Sequence, residues 1–490
     1  MDTQTKRDDS VSTASEMEDI EKRLPQVQEN AAREEAQPTT FATAAVPDTS
    51  TQVISEKPQN ETKPQAGGHQ KFGGRSLPLD HPMHPSKFTG DKFERKPLLT
   101  LFGAFCVMFS SFGWINCIGV FQDYYSTHQL KEYSSSTISW IISCELFFMF
   151  LGGPFVGKLF DNYGPRYLLL GGTFLHVFGL MMASLSTEYY QFLLSQGVCS
   201  PIGASMLFFP AMTSCISWFL KKRALAFGVI AGGASIGGVI FPIMVSHLVP
   251  QVGFGWTMRI CAFFILGLLT VGNLTIRCRL KPTKKPFSIL EFVKPLQERP
   301  FALLNIGAFF GFLGLFIPIS YIVVQAQTTG MSVYLQNYLV PILNGASFFG
   351  RVLPGHVADK IGRFNMMVIM CTISVVFIFA VWIPAKTNAT VIAFAALYGF
   401  ASGAYISIQP TLIAEITTDM SKLGVRNGTS FAIISFASLV GSPIAGALIK
   451  ACDGKFWGLQ TFAGLALGLG TLLIFSTRTA LVGLKLMAKI

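Results

Sequence analysis

Two charged side chains lie inside long apolar stretches of this sequence, where their chemistry is most distinctive. Glu145 lies in ISCELFFMF, and Arg351 lies in NGASFFGRVLPG. A guanidinium presents a planar fork of donors that matches a carboxylate, and a carboxyl in apolar surroundings can take up and release protons. The sequence therefore predicts Arg351 as a substrate-binding residue and Glu145 as the candidate for proton coupling. The alternatives are an arginine that only anchors a helix end and a carboxyl that only bonds a neighbouring helix.

Further side chains with hydrogen-bonding or stacking capacity fall within the same kind of apolar stretch. They are Asn116, Trp114, Asn344 and Gln409. Amides can bind hydroxyls, carbonyls or ring nitrogens, and an indole can stack on a planar ligand. We predict that these four residues line a substrate cavity. Hydrogen bonding between helices is the competing explanation for each of them.

A pattern of glycine, acid and glycine occurs twice, each time at the end of an apolar stretch. GKLFDNYGPR begins at residue 157 and GHVADKIGRF at residue 355, so matched positions are 198 residues apart. Glycine lets a helix end close against a neighbour, and the acid can cap a helix N-terminus or pair with a cation across the molecule. We predict a conformational latch, with an ordinary charged turn as the alternative. Its residues are Gly157, Asp161, Gly164, Arg166, Gly355, Asp359, Gly362 and Arg363.

The composition indicates a membrane protein. Half of the 490 residues are hydrophobic and 13% are charged, and the mean hydropathy is +0.47, which is outside the range of ordinary soluble domains. A helix needs about 20 mostly apolar residues to cross a bilayer, and twelve such blocks follow one another from Pro97 onward, the first of them over 97–121. With the internal repeat, this predicts an all-α membrane protein of twelve transmembrane helices in two pseudo-symmetric six-helix halves.

The chain divides into four predicted regions. Residues 1–86 are rich in Ser, Thr, Gln, Glu and Pro and are predicted to be a disordered cytoplasmic tail. Residues 87–280 form the N-terminal six-helix half, and residues 300–490 form the C-terminal half with a short tail. Residues 281–299 form the cytoplasmic connection between them.

The distribution of charge argues against nucleic acid as a partner. The net charge is +11, but the tail to residue 86 holds 9 Lys and Arg against 14 Asp and Glu, which leaves 29 against 13 for the rest. The positive excess therefore lies beside the membrane helices, where it sets their orientation. Both termini are predicted to be cytoplasmic, in the plasma membrane, with the vacuolar membrane as the alternative.

The repeated turn carries a resemblance to a known family. Gly157-x3-Asp161-x2-Gly164-x-Arg166 resembles the signature loop of the major facilitator superfamily, and the copy that begins at Gly355 resembles that of the second half. The resemblance implies the major facilitator fold, in which helices 1, 8 and 10 line a central cavity. It also implies secondary transport by a monomer.

A finer resemblance is to the fungal branch of the monocarboxylate-porter family, whose members move monocarboxylates, riboflavin or secondary metabolites. It is carried by SFGWINCIGVFQDYY (111–125), SWFLKKRALAFGVIAGGASIGGVIFPI (217–243), GRVLPGHVADKIGRFN (350–365) and the C-terminal LVGLKLMAKI. Arg351 matches that family's substrate-binding arginine. Ser347 stands where the animal carriers have an acid, and Asn116 where they have a lysine, which argues against lactate-type proton symport.

These observations predict a transporter that uses no ATP and is not an enzyme. No Walker-type loop, metal-ligand cluster or nucleophile constellation is found, so no catalytic residue, metal or cofactor is predicted. The expected partners are the lipid bilayer, a small organic substrate and protons. The substrate is predicted to be a monocarboxylate-like anion or a planar metabolite such as riboflavin. The alternatives are an exporter of a fungal secondary metabolite and a nutrient sensor that has the fold but does not transport.

Overall fold

The computed structural model describes Lys92 and residues 94–483, apart from short gaps at 118–119, 122–123, 126–127, 134, 280–281, 283–285, 287, 289 and 420–421. The predicted tail, 1–86, lies outside the described residues. Every regular element in the described part of the chain is helical.

Twelve long helices, α1 to α12, run through the described residues. They are α1 (Arg95–Ile115), α2 (Ser135–Leu151, continued by Gly153–Tyr163), α3 (Pro165–Ala183), α4 (Tyr189–Ile216), α5 and α6 (within Arg223–Thr275), α7 (Arg299–Thr328), α8 (Val333–Ile361), α9 (Arg363–Trp382), α10 (Asn388–Glu415), α11 (Leu423–Ala451) and α12 (Trp457–Val482). α5 and α6 meet at Gly253, whose φ of 79° lies outside the helical region.

Length and apolar composition alone mark ten of the described helices as able to cross a membrane. The tract Arg223–Thr275 is one of those ten, although the backbone at Gly253 divides it into two helices. α8 is not among the ten, because polar residues, Arg351 and Asn344 among them, interrupt its apolar sequence. The predicted fold of twelve helices in two halves, α1–α6 and α7–α12, is confirmed.

Two repeated turns, α2–α3 and α8–α9, mark one end of the bundle, which we call the repeat end. Gly164 and Gly362 terminate α2 and α8 with φ of 76° and 102°, a left-handed conformation that glycine adopts without strain. Pro165 then opens α3 and Arg363 opens α9. The repeat therefore places the two acids, Asp161 and Asp359, at the same end of the bundle.

The halves meet along two helix pairs, α5 with α8 and α2 with α11. Both pairs approach closely enough to leave no room for a side chain. A Cβ on Gly428 of α11 would collide with the carbonyl of Gly153 on α2, and one on Gly228 of α5 would collide with the carbonyl of Arg351 on α8. Small residues in α5 thus bring the part of α8 that contains Arg351 against the first half.

Candidate functional site

Arg351 is buried at the interface between the halves. Its Nη1 donates to the carbonyl oxygen of Ala231 on α5 at 2.5 Å, and its Nε has no hydrogen-bond partner. The guanidinium carbon lies 5.9 Å from the ring centroid of Phe112 on α1. No carboxylate of the described residues forms an ion pair with Arg351. A buried guanidinium with an unused N–H donor and no ion-pair partner among the described residues can bind an anionic or carbonyl-bearing ligand.

Asn116 and Asn344 converge on the same helix. Asn116 Nδ2 donates to the Ala234 carbonyl at 3.2 Å, and Asn344 Nδ2 donates to the carbonyls of Gly238 and Val340 at 3.4 and 3.1 Å. A Cβ on Gly238 would lie 2.8 Å from Asn344 Cγ and 2.9 Å from Asn116 Nδ2. The two predicted amides, one from each half, therefore both pack against Gly238, where any larger residue would collide with them.

The acceptors of Arg351, Asn116 and Asn344 form a row on α5. They are the carbonyls of residues 231, 234 and 238, a spacing that returns to one face of a helix. The donors come from Asn116, just after α1 in the first half, and from α8 in the second. The row therefore joins the halves through side chains that have the chemistry to bind a substrate.

Trp114 lies apart from this row. Its ring is fully enclosed, with centroids 5.2 Å from Phe121 and 5.4 Å from Phe241, and all three residues belong to the first half. Its Nε1 has no hydrogen-bond partner. Stacking of Trp114 on a planar ligand stays a prediction, because in this conformation the ring faces an aromatic cluster.

Gln409 on α10 is fully buried, and neither its Nε2 nor its Oε1 is hydrogen-bonded. α10 lies against α8, because the Ser407 hydroxyl is 3.5 Å from the Arg351 carbonyl oxygen. Gln409 is therefore on a helix adjacent to the arginine, while its own amide is unused.

A small apolar void lies between the halves. Its volume is about 10 Å³, too little for any organic substrate. Both halves line it, through Met108, Phe112, Phe150, Phe208, Phe227, Phe312, Ile406 and Phe431. The Phe431 ring of α11 lies 5.4 Å from the rings of Phe150 and Phe208 in the first half. We call these eight residues the aromatic plug, since six of them are phenylalanines that close the centre of the bundle.

Glu145 is buried within the first half. Its carboxyl is hydrogen-bonded by Gln196 of α4, and its Oε2 has no partner. Gln196 in turn accepts a hydrogen bond from the Tyr125 hydroxyl at 2.5 Å. Gln196 lies in a π-helical turn, Leu193–Cys199, and such widened turns often occur at functional sites. Sequence reasoning missed Gln196 and Tyr125, since neither has a motif of its own.

Asp161 reaches across the halves at the repeat end. Its Oδ2 accepts from the backbone N–H of Val425 at 3.1 Å, and the N–H of Gly424 also bonds the carboxyl. Both N–H groups belong to the first turn of α11, where helix N–H groups have no partner within the helix. Asp161 therefore caps a helix of the opposite half. We call this contact the first cap.

Asp359 makes the equivalent contact in the opposite direction, which we call the second cap. Its Oδ1 and Oδ2 accept from the backbone N–H groups of Ala224 and Leu225 at 3.1 and 2.9 Å, at the start of α5. Arg363 also donates to Asp359 Oδ1, from Nε at 3.2 Å and Nη2 at 3.0 Å. The two repeated acids thus cap helices reciprocally, each in the other half.

The glycines of the two turns are placed alike, whereas the arginines are not. Gly157 packs on the Gly424 carbonyl and Gly355 on that of Ala224, so both let the turn approach the helix that its acid caps. Arg363 also forms an ion pair with Glu415, whereas Arg166 is exposed and bonds no described residue.

Two ion pairs beside the first cap were missed by sequence reasoning. Lys158 pairs with Glu291, and Arg426 forms a bidentate pair with Glu298 at 2.7 and 2.9 Å. Both glutamates precede α7, in the segment that connects the halves. The sequence of the connection did not predict these ion pairs, because its few acids are outnumbered by lysine and arginine.

The chain belongs to the Major Facilitator Superfamily, whose family model matches residues 100–422. It is 53% identical over 416 residues to "MFS-type transporter 1" of Ophiocordyceps sp. (strain BCC 1869), covering 85% of this chain and 92% of the relative. It is 43% identical to the "Fujikurins efflux protein" of Gibberella fujikuroi (strain CBS 195.34 / IMI 58289 / NRRL A-6831), covering 89% and 92%.

The fold is similar to that of solved superfamily members. FucP, a Major Facilitator Superfamily transporter in the outward conformation, matches with a TM-score of 0.61 and 14% identity over 78% of this chain and 98% of FucP. The comparisons therefore show a multi-pass membrane transporter of this superfamily. The relative from Gibberella fujikuroi is named for efflux, and neither named relative is described as a monocarboxylate porter.

Proposed function

We propose that this transporter exports a small organic metabolite by alternating access. The observation that carries the proposal is the 43% identity, over 89% of the chain, to a relative named for efflux. It favours the exporter, which the sequence analysis kept as an alternative, over uptake of a monocarboxylate or riboflavin.

In the proposed cycle the two caps act as the latch that holds the repeat end closed. Each carboxylate stabilises the positive N-terminal end of a helix in the other half. Opening at the repeat end must break both caps, since α2 leaves α11 and α8 leaves α5. With the repeat end cytoplasmic, as the charge distribution predicts, this conformation is closed to the cytoplasm and the substrate is loaded after the caps release.

The release route is supported by a pocket at the other end of the bundle. A cavity of about 520 Å³ lies there between the segment that follows α1 and the end of α5, within the volume range of small-molecule sites. Its walls include Tyr124, His128, Val249 and Phe254. All of its lining residues belong to the first half, so the cavity is an outer pocket of that half in a conformation whose repeat end is closed.

The row on α5 would provide substrate contacts when the halves move apart. In this conformation Arg351, Asn116 and Asn344 each donate to a backbone carbonyl of α5, and separation of α5 from α8 would free the arginine and Asn344 for a ligand. Asn116 and Ser347 replace the charged pair expected for small monocarboxylates. A larger substrate with carbonyl or hydroxyl groups fits the remaining donors better.

Proton coupling is assigned in this proposal to Glu145. A carboxyl buried in the membrane needs a reason to be there, and exchange of a proton is one. The chain of Glu145, Gln196 and Tyr125 provides hydrogen-bond partners that could respond to its protonation. We further propose that the protein works as a monomer in the plasma membrane with both termini cytoplasmic.

The test is transport by purified protein in proteoliposomes, with the panel flavonol, riboflavin, lactate and a longer monocarboxylate, with and without a proton gradient. We expect saturable, gradient-dependent movement of the planar ligand and none of lactate. Arg351→Ala should reduce that flux at least tenfold, whereas Arg299→Ala, an exposed arginine at the start of α7, should not. A folded protein that moves no member of the panel would overturn the proposal and favour a sensor.

A further inference from the structure

Two buried amides on the repeat-end side of the aromatic plug have none of their hydrogen bonds made. They are Gln409 of α10 and Asn427 of α11, and each side chain is fully enclosed. Among the buried side-chain amides of the described residues, these two are the ones whose nitrogen and oxygen both lack a partner. An amide offers two donors and two acceptor lone pairs, so each leaves its whole capacity unused.

Other buried amides in the same half show what a structural role looks like. Gln460 Nε2 donates to the backbone carbonyl of Trp382 at 3.1 Å, and the side-chain oxygen Oε1 of Gln325 accepts from Trp382 Nε1 at 2.5 Å. These amides connect helices, and their bonds offset the cost of burial. Gln409 and Asn427 are buried without hydrogen bonds that would offset the cost of burial. This is expected of side chains that bind a ligand in another state of the protein.

The positions of the two amides follow from helical spacing. Gln409 is three residues beyond Ile406 on α10, and Asn427 is four residues before Phe431 on α11. Ile406 and Phe431 both line the aromatic plug. Residues three or four apart share a helix face, so each amide lies one turn closer to the repeat end than its plug residue, facing the same side.

Opening of the repeat end would uncover the Asn427 side of this pair. Gly428, next to Asn427, packs directly on the backbone of Gly153, so departure of α2 removes the wall beside Asn427. Phe431 likewise contacts Phe150 and Phe208 of the first half and loses them in the same movement. An apolar surface flanked by two free amides would then face the compartment from which an exporter takes its substrate.

We propose that Gln409 and Asn427 form an inner recognition subsite for a neutral, conjugated ketone with a hydroxyl beside it. The proposal rests on the proposed function and deepens it. Each amide can donate to the ketone and accept from the hydroxyl, while the phenylalanines of the plug pack on the planar frame. Because the subsite is uncharged, it recognises this group whether or not Arg351 binds an acidic part of the same molecule.

The experiment measures binding rather than transport, so its result does not depend on whether the protein exports or imports its substrate. The probes are flavonol, whose hydroxyl lies beside its ring ketone, and flavone, which lacks that hydroxyl. Binding to the purified full-length protein is measured by equilibrium dialysis, alongside the melting temperature without ligand. The variants are Gln409→Met and Asn427→Leu, with Gln460→Leu as a control that removes a buried, bonded amide.

We expect the wild-type protein to bind flavonol at least tenfold more tightly than flavone. That ratio should fall towards one in Gln409→Met and Asn427→Leu, without a lower melting temperature, because no existing hydrogen bond is lost. Gln460→Leu should lower the melting temperature and keep the ratio.

Three results would overturn the subsite: no preference for flavonol in the wild type, an unchanged ratio in both variants, or a fall in melting temperature matching that of Gln460→Leu. The protein could prefer flavonol through these two amides and yet fail to move flavonol in vesicles. That result would support the subsite and contradict only the proposed export.

Discussion

The two caps at the repeat end have the same geometry but different surroundings. Asp161 accepts from two backbone N–H groups of α11, and the cations beside it, Lys158 and Arg426, pair with glutamates of the inter-half connection. Asp359 accepts from two backbone N–H groups of α5 and additionally from Arg363. The first cap therefore stands next to the connection, whereas the second carries its own cation.

The difference lies in how each contact is protected from water. Arg363, Asp359 and Glu415 are nearly buried, and Arg363 also donates to the Leu220 carbonyl of the first half at 2.7 Å. Glu298 beside the first cap has 51% of its side chain exposed. Screening by solvent weakens exposed pairs much more than buried ones. The second cap should therefore hold the halves together more firmly, and the first should respond more to its surroundings.

The largest effect is expected from loss of the second-cap cation. Arg363→Leu leaves the carboxylates of Asp359 and Glu415 buried without their partner, a change that costs about 3 kcal/mol or more. The measurement is hydrogen exchange at the start of α5, residues 223–227, which should become much faster. Arg166→Leu is the matched control from the first turn and should leave exchange unchanged, since Arg166 bonds no described residue. Equal effects of the two substitutions would contradict the comparison.

Removal of the capping acids should give unequal losses. Asp161→Asn weakens two hydrogen bonds to backbone N–H groups, which costs about 1–2 kcal/mol for a helix cap. Asp359→Asn weakens the same kind of bonds and also leaves Arg363 with one carboxylate fewer, so its effect should be larger. Exchange at residues 423–427 reports on the first cap and at 223–227 on the second. A larger change for Asp161→Asn would show that the surroundings, and not the cation, decide the strength of a cap.

A smaller effect is expected from the connection. Glu298→Gln breaks the bidentate pair with Arg426, and because Glu298 is half exposed the cost should be about 1 kcal/mol or less. Exchange at residues 423–427 should rise modestly while residues 223–227 stay unchanged. Glu188→Gln, at the opposite end of the bundle, is the control. A response at residues 223–227 would mean that the two caps are coupled.

Ionic strength should give the smallest effect and should separate the two caps without mutation. At 1 M salt the screening length falls to about 3 Å, which weakens half-exposed pairs such as Glu298–Arg426. Exchange at residues 423–427 should therefore increase slightly with salt, and exchange at 223–227 should not. Equal salt dependence at both caps would indicate that Arg363 is more accessible to ions than its burial implies.

The fold was largely predictable because the signals for it are local. Apolar length marks each spanning helix, and the 198-residue offset between the repeated turns indicates two halves. Boundaries were less certain: the predicted first helix, 97–121, extends past Ile115, where α1 ends. Hydropathy continues through that point, while the backbone turns at Asn116 and Cys117. The length of an apolar run therefore does not predict the residue at which its helix ends.

The candidate site was predictable in residue type but not in arrangement. Arg351, Asn116 and Asn344 stand out as polar groups at membrane depth, and the structure brings all three to one face of α5. Trp114 stands out equally in the sequence, yet its ring lies in an aromatic cluster of the first half. The rotation of a helix about its own axis decides whether such a side chain faces α5 or an aromatic cluster. That rotation depends on contacts with helices that are distant in the chain.

The sequence by itself determined twelve helices, two halves and the positions of both capping acids, because each of these depends on the composition or spacing of neighbouring residues. Only the tertiary structure decided which helix each acid caps, that the connection's glutamates stand beside the first cap, and that Gln409 and Asn427 are left without partners. Hydrogen bonds across the halves join residues more than a hundred positions apart, and their geometry depends on how whole helices pack.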